Sequence, residues 1–346
     1  MSLSLKVFHQ SLPLAQVFRI SRGAKTSAEV IVVVISDGTY TGWGESVPYH
    51  HYGESINSVR QQILQLSKQN LVIADHNRLD TLLPPGSARN AVDCAMWDLT
   101  AKIRGTKVNE LLALPAVEAC ITAQTISLGS LQSMQNEAKK LHHAPLIKVK
   151  LDGQSVVSKM QAIHSECPNS RFIIDANEAW TISLLAEVLP ALEHCNLALI
   201  EQPLPADQDE GLLDFRSSIP LFADESCHST QGLTRLVGKY QGVNIKLDKT
   251  GGLSAALTLL HKAKALEFDI MIGCMVGSSL AMAPAFLLSA LADYVDLDGP
   301  LLVAKDRTNK FSFNNGVMSK LPRSLWGMGN VHDLDPELIS LSQQQA

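Results

Sequence analysis

The pattern of apolar and polar positions changes character about a third of the way along the chain. Before that point a β-branched run from Val30 to Ile35 meets the turn signal Asp37-Gly38, and Tyr40 to Trp43 returns as the second arm of a hairpin. From Arg89 to Lys102 the residues Ala91, Val92, Ala95, Met96 and Leu99 recur at helical spacing and predict one buried helix face. Tyr49-His50-His51-Tyr52-Gly53, polar and aromatic ahead of another predicted helix, reads as a surface loop suited to a lid. Adjacent histidines on an extended chain point to opposite sides, which argues against a metal site there.

After about Cys120, short apolar strands alternate with helix-like segments, the signature of βαβ units around a parallel sheet. The predicted strands are Ile121 to Ile126, Leu146 to Lys150, Phe172 to Asp175, Ala198 to Glu201, Leu221 to Asp224, Val243 to Lys246, Ile270 to Cys274 and Tyr294 to Leu297. Eight such units in one run fit an α/β barrel with its active site at the C-terminal strand ends. The N-terminal part, with the tail beyond about Leu302, then forms a second, capping domain.

Composition narrows the classes. At 346 residues the chain is long enough for about two domains. With 46% hydrophobic and 18% charged residues it is globular rather than disordered. Lys plus Arg number 29 against 34 Asp plus Glu, a net charge of -5, so there is no basic footprint for nucleic acid or anionic lipid. Six cysteines without a Cys-x-x-Cys read as free thiols in a reducing compartment. No secretory signal is recognised at the start, and the longest apolar stretch, Leu280 to Ala292, is broken by Pro284 and falls short of the roughly 20 residues of a membrane span. A cytoplasmic enzyme is the expectation, and assembly into a homo-oligomer is left open.

The chemistry stands where the apolar strands stop: Lys148-Val-Lys150, Asp175-Ala-Asn177, Glu201-Gln-Pro203, Asp224-Glu-Ser226, Lys246-Leu-Asp248, Gly273-Cys-Met275 and Asp296-Leu-Asp298. Singly, each acid reads as a strand-end salt bridge. Together, acids on three consecutive strands flanked by lysine ends predict a hard cation, and oxygen-only ligation suits Mg²⁺ on Asp175, Glu201 and Asp224. Strands four apart face each other in an eight-stranded barrel, so Lys150 and Lys246 are expected to reach the mouth from opposite sides. Lys148 shares a face with Lys150 by the period-two rule, and with the metal it is expected to lower the pKa of its neighbour. A base on each side of one carbon, beside a cation that stabilises the enolate of a bound carboxylate, is the chemistry of racemisation or epimerisation. Asp296 and Asp298 share a face opposite the metal and suit a substrate ammonium; a solvated acidic turn into Gly299-Pro300 is the alternative.

These residues resemble the enolase superfamily, in its muconate-lactonising subgroup, and within it the L-Ala-D/L-Glu dipeptide epimerases. The resemblance rests on the barrel motifs above, with Ala223-Asp224-Glu225-Ser226 and Asn244-Ile-Lys246 through Gly251-Gly252, and on Gly42-Trp-Gly-Glu45 and Ala91 through Asp98-Leu99 in the cap. It implies a modified TIM barrel, (β/α)₇β, under an α+β capping domain: residues 1–118 as cap, 119–302 as barrel, and 303–346 returning to the cap. It implies a Mg²⁺-dependent epimerase of dipeptides, L-Ala-D-Glu to L-Ala-L-Glu, with Lys150 and Lys246 as the two bases and murein peptide recycling as the setting. Lys148 is then a carboxylate contact and Thr125 a further substrate contact. Arg22, after the first strand, is the partner of the glutamate side chain, with Arg19 and Lys25 as alternatives. Competing readings are an N-acylamino acid racemase or o-succinylbenzoate synthase of the same subgroup, which the acid pair argues against, and a non-catalytic metal-binding relative, which the two lysines argue against.

Overall fold

The computed structural model describes residues 2–329 and 336–344. The chain opens with a three-stranded antiparallel sheet, β1 (Ser4–Ile20), β2 (Gly23–Ser36) and β3 (Thr41–Ser46), in the order β1-β2-β3. The hairpin of β2 and β3 pairs Ile35 with Gly42 and Val33 with Gly44, as the apolar run and its turn predict. Helices α1 (Ile56–Ser67) and α2 (Ser87–Arg104) cover the sheet. Gly42 and Gly44 let α2 lie directly on β3: a Cβ at either would fall about 2 Å from the carbonyl oxygens of Ala95 and Ala91. The core of this layer is Val7, Ile31, Val33 and Ile35 from the sheet against Ile63, Ala91, Val92, Met96 and Leu99 from the helices.

The barrel follows as eight parallel strands in sequence order: β5 (Gln124–Ile126), β6 (Leu146–Lys150), β7 (Arg171–Asp175), β8 (Leu197–Glu201), β9 (Leu221–Ala223), β10 (Gly242–Lys246), β11 (Asp269–Gly273) and β12 (Tyr294–Asp296). Its seam is nearly closed. The Ala123 N–H donates to Val295 O at 2.8 Å, and the Leu297 N–H donates to Thr122 Oγ1 at 2.8 Å. The first predicted strand is divided: β4 (Ala119–Ile121) leaves the barrel to pair with β14 (Val317–Ser319), itself paired to β13 (Phe313–Asn314). Full helices follow β5, β6, β7, β10 and β11, whereas β8 and β9 are followed by short turns at Glu210–Leu212 and Leu233–Leu236.

Parallel strands covered by helices on the outside must fill the inside with every second side chain. Leu146, Ile173, Leu199, Phe222, Met271 and Tyr294 form an apolar floor. Two residues further along the same strands stand Lys148, Asp175, Glu201, Asp224, Gly273 and Asp296, so the polar layer above the floor is dictated by strand period and register.

Cap and barrel are bolted together by buried polar contacts. The Arg307 guanidinium pairs with Glu45 at 2.6 Å, both side chains almost fully buried. The Val47 N–H and the Asn90 Nδ2 donate to Asp248 Oδ1 at 2.8 and 2.9 Å. The later chain returns to the cap, where Trp326 Nε1 donates to Trp43 O and the Gly327 N–H to Asp98 Oδ1.

Candidate active site

Asp175 ends β7, Glu201 ends β8, and Asp224 lies one residue past β9; all three are buried, and one oxygen from each falls within 4.8 Å of the others. Lys148 Nζ stands among them, 2.6 Å from Glu201 Oε2, 2.7 Å from Asp296 Oδ2 and 3.1 Å from Asp175 Oδ2. Lys150 and Lys246 flank the cluster: Lys150 Nζ is 2.6 Å from Asp175 Oδ2, and Lys246 Nζ is 2.6 Å from Asp224 Oδ2. The expected acids and lysines are therefore brought into one ring at the strand ends. Three convergent, buried, oxygen-only donors form a set that fits a hard divalent cation.

Electrostatics reflect the crowding. Burial and then the neighbouring Asp175 push Glu201 up to about 8. Asp224, despite burial, is held well below the carboxylate range by Lys246 and Lys249, and Asp175 is likewise held down by Lys150 and Lys148. Lys148 and Lys246 are shifted upward rather than downward. Burial opposes the charge of Lys148, but Asp296, Glu201 and Asp175 outweigh it and raise its pKa; Asp224 does the same for Lys246. For Lys246 the acid at 2.6 Å outweighs both burial and the repulsion of Lys148.

Asp296 and Asp298, at the end of the eighth strand, are both buried. Asp298 Oδ2 accepts the Thr125 N–H at 2.7 Å, so Thr125 acts here through its backbone on the acid pair. Burial and the charge of Asp296 push Asp298 up to about 7. Asp296 Oδ1 is buried with no hydrogen-bond partner.

The cap completes a cavity of about 420 Å³ lined on the barrel side by Lys150, Asp224, Lys246 and Cys274, and on the cap side by Ile20, Arg22, Lys25, Tyr49 and Tyr52. His50–Tyr52 form a single helical turn rather than an open loop. Arg22 reaches the mouth but is already paired, with Glu225 at 2.6 Å and Glu178 at 2.8 Å, and His51 meets the same Glu178 at 2.9 Å. Lys25 lies 4.8 Å above the Tyr49 ring in the same wall. Arg19 is not among the residues lining the cavity.

Sequence reasoning missed a second layer of residues. Lys249 Nζ donates to Asp224 Oδ1 at 2.6 Å, and Asn244 Nδ2 donates to Glu201 Oε1 at 2.7 Å. Gln202 Oε1 accepts the N–H groups of Asp224 and Ser226 at 2.9 and 3.0 Å and so shapes the turn that presents Asp224. Asn244 had a usable signal, because it stands two residues before Lys246 and shares its face. Lys249 had none of that kind: it lies on the turn Leu247–Thr250, where strand period no longer applies.

Comparison with known proteins assigns this architecture. Residues 2–113 match the mandelate racemase/muconate lactonizing enzyme N-terminal domain, and residues 133–330 match the enolase C-terminal domain-like family. The chain belongs to the enolase superfamily. It is 51% identical over 300 residues to an N-acetyl-D-glutamate racemase from Pseudoalteromonas, covering 86% of this chain and 95% of that one. It is 41% identical over 317 residues to the L-Ala-D/L-Glu epimerase of Escherichia coli, covering 91% and 99%. A crystal structure from Agrobacterium tumefaciens, an enolase family member with homology to dipeptide epimerases and with bound sodium and L-Ala-L-Glu, superposes with a TM-score of 0.90 at 40% identity, covering 94% of this chain and 100% of that one. A dipeptide epimerase from Methylococcus capsulatus, complexed with Mg and L-Arg-D-Lys, gives 0.87 at 25% identity, covering 96% and 100%. The protein is an isomerase of the racemase and epimerase kind. No described helix is long and apolar enough to cross a membrane.

Proposed function

We propose that this enzyme epimerises the glutamyl α-carbon of L-Ala-D-Glu, with Mg²⁺ on Asp175, Glu201 and Asp224. The names of the two relatives above share an N-acylated glutamate, since the alanyl group of L-Ala-Glu is itself an acyl substituent on glutamate nitrogen. The observation that carries the choice of a dipeptide is the buried pair Asp296 and Asp298, one of whose oxygens, Asp296 Oδ1, has no donor. A free α-ammonium supplies that donor; the methyl of an acetyl group does not.

In this reading Lys148 orients the substrate α-carboxylate beside the acid triad. Lys150 on β6 and Lys246 on β10 stand on opposite sides of the mouth, four strands apart in a ring of eight. One removes the α-proton from one face, and the other delivers a proton to the opposite face, which inverts the centre. The cation supplies charge stabilisation to the carboxylate as the proton leaves. Arg22 and Lys25 form the basic side of the cap that receives the glutamate side chain. Arg22 is paired with Glu225 and Glu178, whereas Lys25 has no carboxylate partner within 4 Å among the described residues. Six unpaired thiols fit a cytoplasmic enzyme, and the substrate fits salvage of murein peptides.

The second reading, N-acetyl-D-glutamate racemase, is favoured by the 51% relative. Proton NMR in D₂O with Mg²⁺ separates the two. With L-Ala-D-Glu, L-Ala-L-Glu and N-acetyl-D-glutamate supplied in parallel, loss of the α-proton signal is expected at least about tenfold faster, per kcat/KM, for the dipeptides. The reverse order assigns the enzyme to N-acetylglutamate.

A further inference from the structure

Each acid of the triad has one oxygen tied back to the protein. Asp175 Oδ1 accepts the Asn177 N–H at 2.9 Å, Glu201 Oε1 accepts Asn244 Nδ2 at 2.7 Å, and Asp224 Oδ1 accepts Lys249 Nζ at 2.6 Å. The other oxygens, Asp175 Oδ2, Glu201 Oε2 and Asp224 Oδ2, are those that meet Lys148, Lys150 and Lys246. The triad thus offers three single oxygens rather than three forks.

Lys249 is the strongest of these ties. Its side chain is fully buried, and its ammonium donates to Asp224 Oδ1, to Asp224 O and to Asn244 O, which uses all three of its protons on fixed acceptors. It differs in this from Lys148, Lys150 and Lys246, whose partners are the oxygens facing the cluster. Asn244 is fully buried against Gly273, where a Cβ would leave it no room, and its Nδ2 faces Glu201 Oε1 while its Oδ1 has no hydrogen-bond partner among the described residues. Ionised, as ligation of a cation requires, Glu201 only accepts, which fixes the orientation of the Asn244 amide chemically.

Denticity separates small from large divalent cations. Mg²⁺ requires near-octahedral oxygens at about 2.1 Å and takes carboxylates through one oxygen, whereas Ca²⁺ prefers six to eight ligands and commonly uses both oxygens of an acid. We propose that Lys249 and Asn244 hold Asp224 and Glu201 in single-oxygen ligation and thereby select the site for Mg²⁺ and Mn²⁺ against Ca²⁺. Both are positioning residues, acting through the acids they hold, and the inference rests on the reading that the triad binds a divalent cation.

The test is the ratio of Ca²⁺ to Mg²⁺ dissociation constants, obtained by displacing Mn²⁺ from the purified full-length enzyme and following free Mn²⁺ by electron paramagnetic resonance. Lys249→Met and Asn244→Leu are expected to move the ratio toward Ca²⁺ by about tenfold or more. Removing the charge of Lys249 strengthens every divalent cation alike and cancels in the ratio. A ratio within about twofold of the wild type in folded variants overturns the proposal. Should either variant fail to fold, a crystal structure of the wild type with Mg²⁺ decides: Asp224 and Glu201 each bound through one oxygen, with Lys249 and Asn244 still on the other, supports it, and two-oxygen ligation by either acid overturns it. Failure of the wild type to bind any divalent cation would overturn the metal reading along with it, whereas binding with an unchanged ratio overturns this inference alone.

Discussion

Lys246 Nζ sits 2.6 Å from Asp224 Oδ2, the oxygen of Asp224 that Lys249 leaves uncommitted. A cation bound by the triad would compete with the lysine for this acid. On the proposed function, a cation held by Asp175, Glu201 and Asp224 would take up the negative charge that now raises the pKa of Lys246, and would favour the neutral amine a base requires. Lys150 Nζ makes the corresponding contact with Asp175 Oδ2, at 2.6 Å.

Activity is accordingly expected to require a divalent cation. Glu201→Gln removes one negative charge from the triad and should abolish turnover and weaken Mn²⁺ binding by about tenfold or more, read by displacement titration. Undiminished epimerisation after exhaustive chelation would contradict the metal reading.

The barrel was legible because its chemistry obeys strand period. Wherever an apolar strand ends in a charge, as at Lys150, Asp175, Glu201 and Lys246, residue and role lie on one register, and closure of eight strands brings them together. What escaped reading depends on contacts between distant segments. Nothing local to Glu45 says that Arg307 will neutralise it, and nothing in Ala119–Ile121 says that it will abandon the barrel for Val317–Ser319. Arg22 was placed only by family resemblance, with Arg19 and Lys25 as alternatives, and its pairing with Glu178 and Glu225 needs two barrel loops that only the fold juxtaposes.

The bases are expected to divide by stereochemistry. Lys150→Ala and Lys246→Ala should each lose net epimerisation, because one lysine takes the proton and the other returns it. Each variant should still exchange the α-proton of one epimer with solvent deuterium, and the two should prefer opposite epimers. Identical exchange of both epimers by both variants would rule out a two-base arrangement.

Glu45 and Arg307 test the buried ion pair between the cap and the chain that follows the barrel. Glu45→Leu leaves the guanidinium buried without its counter-charge, which is expected to cost about 3–5 kcal/mol in urea unfolding. The double variant with Arg307→Met should recover much of that loss, since both charges are then gone.

Asp248 predicts a pH dependence. Burial pushes its carboxyl up to about 7 despite hydrogen bonds from Val47 and Asn90, against about 3.9 in an unfolded chain. Between these values the folded state holds a proton that the unfolded state has released, so stability falls as pH rises from about 4 to about 7, by up to about 1.4 kcal/mol per pH unit. Asp248→Asn keeps an oxygen for the same two donors and removes the titration. Thermal melts of the variant should therefore vary less with pH than those of the wild type between pH 5 and 7, and equal slopes would show that Asp248 does not carry this effect.

Substrate choice is expected to turn on the eighth strand. Asp296 is paired with Lys148 through Oδ2 and has a bare Oδ1, while Asp298 spends one oxygen on the Thr125 N–H. A substrate ammonium placed between them gains charge-assisted hydrogen bonds worth roughly 1.5–3 kcal/mol each, so Asp298→Asn should lower kcat/KM for L-Ala-D-Glu by about one to two orders of magnitude. N-acetyl-D-glutamate carries no ammonium. It should be a poor substrate of the native enzyme and should lose little more in the variant, because the interaction removed was never made. Holding the C-terminal residue constant as glutamate keeps the contribution of Arg22 and Lys25 equal on both sides of the comparison. If N-acetyl-D-glutamate is turned over as fast as the free dipeptide and Asp298→Asn lowers both alike, the acid pair serves the architecture of the strand end, and the enzyme is a racemase of N-acetylglutamate.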